Sequence, residues 1–499
     1  MSWKKTIFSY FIWLIYAAAV NLGLAGFFGT VLEREGYSGE YCFPAILVLN
    51  LSVALLVFAL HRLTVKSIPS EPKAAVWRNF AIVEGILVVA LLAGGIFLRT
   101  TQIQNFATGS VAMDYQNPFY EAAKVTEGYV IPQVVHGASY LYLQVLHFVF
   151  LLFGNKLIAA VWLQVVLQCL TGVLLYFSVR KLSGRIPALI MLGFIMLSPY
   201  MVCNTLELSP ESLFFVMYAL ALGILTSTFS NNRCNPFVAL ISGILIGVCC
   251  YFDLSGVTLL LFAVGIVFAE RVKPVKWWNC RVVIILGCLL GTVMGWFGVI
   301  ALDAALCGKK MLGVMTAWAS LYRPNAFSFP INEVRDLQNS PAVWNSMLVV
   351  SILLLVGVFG FWCRKGRERM GVWMVAASMF LLFRCFGMMT PQLSGSTYLF
   401  FCLVTLAGIG VGDIFSVEMI TGTVETEKDI IEAEEDEKPV ETMTDPKTEA
   451  VPKEKEIHFL ENPLPLPKKH EAKVLNYRFV EIENGDFDYD VAEDDDFDI

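Results

Sequence analysis

Apolar runs of roughly 17 to 23 residues recur along the whole chain, each about long enough to cross a hydrocarbon core of about 30 Å. The candidate crossings are 7–30, 42–60, 80–98, 157–178, 186–203, 210–228, 236–251, 254–270, 281–302, 343–362, 370–388 and 397–415. No water inside a bilayer can satisfy an exposed peptide group, so each crossing has to be a helix. The predicted fold class is an all-α polytopic membrane protein, a bundle of about 12 transmembrane helices. With 57% hydrophobic and only 16% charged residues, a soluble globular chain is excluded. The first run follows MSWKK and carries no small-residue cleavage signature, which reads as a retained helix.

Basic residues collect in cytoplasmic loops and therefore orient the crossings. With Lys4 and Lys5 inside, the basic segments HRLTVKSIPSEPKAAVWR, VRKLSGR, ERVKPVKWWNCR and RKGRER also fall inside. This assignment holds only if the apolar stretch 138–154 does not cross. That stretch is rich in Tyr and Phe and carries His147, which suits a helix lying in the outer interface. Two long exterior loops result, 99–156 and 303–342. Loops of that length in a compact protein are functional or disordered, and the aromatic content of the first favours function.

The net charge of −7 conceals two opposite parts. Residues 421–499 hold 25 acids against 9 bases, and the remainder carries an excess of bases. The predicted divisions are a two-helix segment at 1–65, a module at 80–342, further transmembrane helices at 343–415 and a disordered acidic cytoplasmic tail at 421–499. Such a tail cannot bury enough apolar surface to fold. Its stretch 458–480, HFLENPLPLPKKHEAKVLNYRFV, reads as a docking segment for a cytoplasmic protein partner. The 12 cysteines fall mostly inside apolar runs, where they behave as small hydrophobes. Cys42 and Cys307 share the exterior side, where a disulfide between them is one reading. No metal-ligand spacing is present.

Several ionisable groups sit where a membrane chain tolerates few. Asp114 lies among aromatics in MDYQNPFY, as a solvated loop acid or as a general base beside a sugar-sized pocket lined by Tyr120. Glu121 follows it. Glu207 lies in the exterior segment NTLELSPES, in which Ser209 and Pro210 start a helix and Glu211 suits its positive end. Asp253 ends the 236–251 crossing, either as a turn residue or as a second acid. Arg384 lies inside an apolar run, where a guanidinium has to snorkel, pair or bind a phosphate. Arg323, with Lys309 or Lys310, offers a second phosphate contact. All of these fall at one depth, the outer interface, whereas a transporter would set them near the bilayer midplane.

The order of features over 80–270 resembles the GT-C superfamily of integral-membrane glycosyltransferases, in particular the protein mannosyltransferase and aminoarabinose transferase-like group. A crossing leads to an exterior loop with Asp114, Tyr120 and Ala122 or Ala123. HGASYLYLQVLHFVFLLFGNK follows, then helices ending in LLYFSVRKLSGR and LSPY, then LSPES. The resemblance implies a bacterial cell-membrane enzyme that moves a sugar from a polyprenyl-phosphate donor to an extracytoplasmic acceptor. It also implies that Asp114 is catalytic. The family often has an acidic pair where this chain has Asp114-Tyr115, and His-Pro-Pro where it has His136-Gly137. Glu207 or Asp253 then stands as the second acid, and His136 as a substrate contact.

The chemistry asks for positioning, a base for the acceptor hydroxyl and charge compensation on the departing phosphate. Asp114 is the expected base, and Arg384 or Arg323 the phosphate contact. A divalent metal is compatible with this scheme, although no dedicated ligand set is legible. No nucleic-acid partner is expected. The rival readings are a transporter or flippase for a lipid-linked sugar or small solute, a polymerase or ligase of surface polysaccharide, and a non-catalytic scaffold acting through its acidic tail.

Overall fold

The computed structural model describes residues 3–67, 74–107, 118–124, 138–206, 208–230, 236–268, 281–306, 308–322, 341–361, 368–386 and 396–414. The chain divides into residues 1–432, which hold all of these, and residues 433–499. The described residues form helices and no strand. In chain order these are α1 (Trp3–Arg34), α2 (Cys42–Ser67), α3 (Ala74–Ala107), α4 (Pro118–Ala123), α5 (Ala138–Phe153) and α6 (Leu157–Ser183). Then come α7 (Arg185–Leu197), α8 (Pro199–Cys203), α9 (Glu211–Ser230), α10 (Pro236–Phe252), α11 (Thr258–Phe268) and α12 (Arg281–Leu306). The last are α13 (Met311–Leu321), α14 (Pro341–Gly360), α15 (Glu368–Cys385) and α16 (Ser396–Ile414).

Among the described residues, five helical stretches are long and apolar enough to cross a bilayer: Gly39–Leu63, Ala81–Asn105, Leu157–Ser183, Val282–Ala305 and Thr397–Ile414. Shorter apolar helices of 10–17 residues fill the rest of the bundle. The protein is a multi-pass membrane protein. Only 6% of the α2 span and 11% of the α3 span are buried, against 83% for α16. The first two therefore present their leucines, valines and isoleucines outward, as lipid-facing helices do, and α16 is the central strut.

Buried aromatic and aliphatic side chains of α1, α6, α7, α9–α12 and α14–α16 make one continuous core. Trp13 Nε1 donates to Val358 O at 2.9 Å and Tyr16 Oη to Leu354 O at 3.1 Å, which ties α1 to α14. A close glycine contact joins α10 to α12. A Cβ placed on Gly243 would lie 2.1 Å from Cys288 O, and one on Gly291 would lie 2.1 Å from Leu240 O. Only glycine lets two helix backbones come this close.

The bundle has two polar ends. At one, Glu84 of α3 is buried and accepts from Arg180 Nε at 2.7 Å and Nη2 at 3.1 Å, with Arg185 Nε at 3.4 Å and the Tyr176 hydroxyl also on it. Trp373 Nε1 of α15 donates to Ser183 Oγ at 3.0 Å, and His61 Nδ1 of α2 lies 3.0 Å from Ile414 O. At the other end stand Asp253, Glu211, Thr397 and the segments 204–206 and 208–210. The contacts of α5 gather there too: Tyr142 Oη accepts from Gln164 Nε2 at 2.6 Å, and His147 Nδ1 lies 2.9 Å from Ala123 O.

The run 186–203, expected as one crossing, is two helices. Pro199 has no N–H and forces Ser198 into an extended conformation (φ −60°, ψ 129°), so α7 stops at Leu197. Cys42 is a free thiol whose Sγ lies 3.4 Å from Ala25 O; Cys307, its partner in the disulfide reading, lies outside the described residues. Cys249, Cys250, Cys288, Cys385 and Cys402 are free and buried, as hydrophobes.

Candidate functional site

The break at Pro199 creates a problem that α3 solves. The carbonyl of Ile195 would normally accept from residue 199, which is proline, and the Met196 carbonyl would accept from Tyr200 N. That N–H donates instead to Ser346 Oγ at 3.1 Å. Arg99, fully buried, reaches both orphans: Nη2 donates to Ile195 O at 2.8 Å and Nη1 to Met196 O at 2.7 Å. Nη1 also donates to Gly95 O at 3.1 Å, and Nε to Gln168 Oε1 at 2.8 Å. The negative end of the α7 dipole offsets the buried charge. Gly95 permits the approach, because a Cβ there would lie 2.6 Å from Met196 Cε and 2.9 Å from Met196 O.

From this hub a polar layer extends across the end of the bundle. Thr205 Oγ1 donates to Gln168 Oε1 at 2.9 Å, and Gln164 Nε2 donates to Ser209 O at 3.1 Å. Ser209 Oγ accepts from Glu211 N at 3.2 Å, so the helix start read from LSPES is present and leaves Glu211 buried at the positive end of α9. Between α6, α9 and α16 lies a cavity with about 430 Å³ of empty space, its opening included. Its polar lining includes Gln168, Thr171, Asn204, Glu211, Ser212 and Thr397. In the wall, Tyr200 Oη lies 3.3 Å from Thr397 Oγ1, and Ser198 Oγ lies 2.9 Å from Ser346 Oγ.

Asp253 lies beside a second, smaller cavity that Tyr398, Tyr218 and Ser255 also line. Its carboxylate caps a short turn, with Oδ1 accepting from Ser255 N at 2.6 Å, which is the turn role the sequence allows. Both Asp253 and Glu211 are within electrostatic reach of Tyr398. Above them α13 folds back over the end of α10. Trp318 Nε1 donates to Tyr251 O at 2.8 Å, and Tyr251 Oη bonds Asp303. Burial, and then the charge of Asp253, pushes the Tyr322 phenol above its usual range.

Of the residues singled out from sequence, Asp114, His136, Glu207 and Arg323 lie outside the described residues. Arg384 falls in the last turn of α15. Tyr120 is a packing residue: it is buried edge-on to Phe150, with its hydroxyl donating to Asn155 O at 3.2 Å. Glu121 is exposed and pairs with Lys124 at 2.5 Å. Tyr120 and Glu121 thus share α4, apart from the Asp253 turn. Among the described residues, no group of three or more His, Cys, Asp or Glu side chains is placed to hold a metal ion.

Gln164, Gln168 and Thr171 escaped the sequence reading, although a signal exists. Their spacing of four and three puts them on one face of an otherwise apolar helix. Arg99 was legible only as the end of an apolar run.

This layer is built mainly from α6, α8, α9 and the α10–α11 turn, and the comparison with known families falls on the same segment. Residues 139–296 match the dolichyl-phosphate-mannose-protein mannosyltransferase family. The chain is therefore similar to a glycosyltransferase family over that part of its length. The matched segment runs from α5 into α12 and holds Gln164, Gln168, Thr171, Glu211 and Asp253. Asp114, Arg323 and Arg384 lie outside it. No curated protein matches the chain.

Proposed function

We propose that this protein is a membrane glycosyltransferase that takes a sugar from a polyprenyl-phosphate donor and passes it to an acceptor outside the cytoplasm. The observation that carries the reading is the coincidence of the family match with the polar layer at one end of an apolar bundle. In this reading that end faces the exterior, the Glu84 end and both termini face the cytoplasm, and α5 lies in the outer interface. The acidic tail, through 458–480, is available to a cytoplasmic protein partner.

The reaction breaks the bond between the anomeric carbon and a phosphate oxygen and forms one to an acceptor hydroxyl oxygen. Asp114 takes the hydroxyl proton, with Asp253 or Glu207 as the second acid. Arg384, or Arg323, compensates the charge of the departing phosphate, because a guanidinium donates paired hydrogen bonds to it. Tyr120, Glu121 and His136 shape the approach of the first exterior loop to the donor.

The test is release of free polyprenyl phosphate when purified, detergent-solubilised protein meets a panel of polyprenyl-phosphate sugars. Wild type is compared with Asp114→Asn and Asp253→Asn; asparagine preserves the turn cap at 253. Release that vanishes in Asp114→Asn while donor binding persists supports the reading. Equal release from wild type and Asp114→Asn removes Asp114 as the base. No release with any donor removes transfer altogether and moves the transport and scaffold readings forward.

A further inference from the structure

Helix α12 carries a lipid-facing stripe along its length. Val282, Leu286, Leu290, Met294, Phe297 and Leu302 are all exposed and recur at helical spacing. Its apolar stretch, Val282–Ala305, has 24 residues. At 1.5 Å per residue that is about 36 Å, against a hydrocarbon core of about 30 Å. The stripe therefore meets the headgroup boundary near Leu302. Just beyond it the chain reverses. Gly308 adopts φ 63°, a left-handed conformation that suits glycine, and Lys309 N donates to Ala304 O at 2.9 Å, which closes the end of α12. Helix α13 then runs back along α12: Val314 packs with Ile300 and Ala304, and Trp318 lies edge-on to Trp296 with ring centroids 5.1 Å apart.

The reversal brings two chemistries to one exposed corner. Lys309 and Lys310 are exposed. Met311 and Leu312 follow them at 38% and 70% exposure, and Leu302 stands before the turn at 58%. A lysine pair between two exposed leucines at headgroup depth meets a lipid at its phosphate and at its chains together. We infer that the α12–α13 turn is a docking surface for an anionic phospholipid of the leaflet on that side. Lys309 and Lys310 meet the headgroup phosphate, and Leu312 with the upper part of the α12 stripe meets the acyl chains. Charge and continuity name this occupant. Two ammonium groups complement a net negative headgroup, whereas a zwitterionic one offsets the attraction with its own cation. The apolar half prolongs a surface that α12 already gives to the bilayer. Sequence position alone offered these lysines to a donor phosphate. The described lining of the polar cavity, however, comes from α6 to α9 and α16, with no residue of α12 or α13. Docking at the turn is independent of the transferase reading.

The test uses the full-length protein in nanodiscs of phosphatidylcholine, into which phosphatidylglycerol is titrated. Amide hydrogen exchange over residues 308–313 reads occupancy at the turn itself, so lipid held by basic loops elsewhere does not enter. Two further arms add farnesyl phosphate or inorganic phosphate to discs of phosphatidylcholine alone. The proteins are wild type, the double variant Lys309→Gln/Lys310→Gln, Leu312→Ser, and Lys156→Gln as an exposed cation on another element. Melting temperature is measured for each.

Phosphatidylglycerol is expected to slow exchange over 308–313 in wild type and equally in Lys156→Gln. One lysine near an anionic surface is worth about fivefold in affinity, so the double variant should need about 25-fold more phosphatidylglycerol for the same protection. Its melting temperature in phosphatidylcholine should match wild type, because both side chains are exposed. Leu312→Ser should weaken the apparent affinity about tenfold through lost apolar contact. Protection that does not depend on phosphatidylglycerol, or that survives unchanged in the double variant, overturns the site. Wild-type affinity in Leu312→Ser overturns its apolar half. Farnesyl phosphate or inorganic phosphate protecting as well as phosphatidylglycerol overturns the phospholipid as occupant, in favour of a prenyl donor or a soluble anion. Sugar transfer plays no part in these readouts, so its absence and the failure of this site are separate results.

Discussion

Arg99 Nε and Gln168 Oε1 meet at 2.8 Å inside the bundle, and the guanidinium's other donors close the end of a helix that proline has broken. Arg99→Met should therefore cost about 3–5 kcal/mol, the range for removing one partner from a buried charged network. Arg99→Lys should recover only part of that loss, since an ammonium cannot reach four acceptors in a plane. Thermal unfolding in one detergent, read by size-exclusion fluorescence, gives the order wild type, Lys, Met. A lysine variant as stable as wild type would contradict it.

The close approach of α10 and α12 leaves no space for a methyl group. Gly243→Ala and Gly291→Ala each place a Cβ 2.1 Å from a backbone carbonyl oxygen, so the helices must separate. A loss of about 1–3 kcal/mol or more is expected, together with a lower yield of folded protein. Gly298→Ala, on the same α12 with nothing within 4 Å of its Cβ, should match wild type and serves as the control.

Glu84 fastens α3 to α6 and α7 through Arg180 and Arg185. It is buried, while the arginines are partly exposed at 38% and 30%, so its removal leaves two guanidinia that water can still reach. Glu84→Gln should lower stability by about 1–3 kcal/mol, and Arg185→Gln, with the longer 3.4 Å contact, by less. Equal losses in the two variants would show that Glu84 is not the centre of the cluster.

Tyr322 makes the α13 cap sensitive to alkali. Burial and Asp253 raise its phenol above the usual value of 10.0. The protonated form is thus favoured in the folded chain. Its contribution is complete below about pH 10 and is lost as pH rises beyond that, when the unfolded phenol ionises and the folded one resists. Amide hydrogen exchange over residues 311–322 should accelerate above about pH 10, beyond the general chemical trend, in wild type and much less in Tyr322→Phe. The same acceleration in both proteins would assign it elsewhere.

The apolar runs alone required a helical membrane bundle, because their length and the lack of water in a bilayer leave no other way to satisfy the backbone. The LSPES start of α9 was equally local: Ser209 caps the first turn using only its own neighbours. Pro199 was an equally local signal, but the expectation of one crossing over 186–203 passed over it. What the sequence could not name was the donor for the Ile195 and Met196 carbonyls at that break. Arg99 lies 96 and 97 residues away from those carbonyls, and Ser346, which takes Tyr200 N, lies 146 residues away in the other direction. Asp253 and Glu211 were each explicable as helix-end residues, and each does serve its own turn. Their nearness to Tyr398 arises from the packing of α9, α10 and α16. Local hydrogen bonding and hydropathy are written into a few consecutive residues. Which buried polar groups share a cavity depends on how far apart helices come to rest, and that was decided by the glycine contacts and the buried arginine that hold them there.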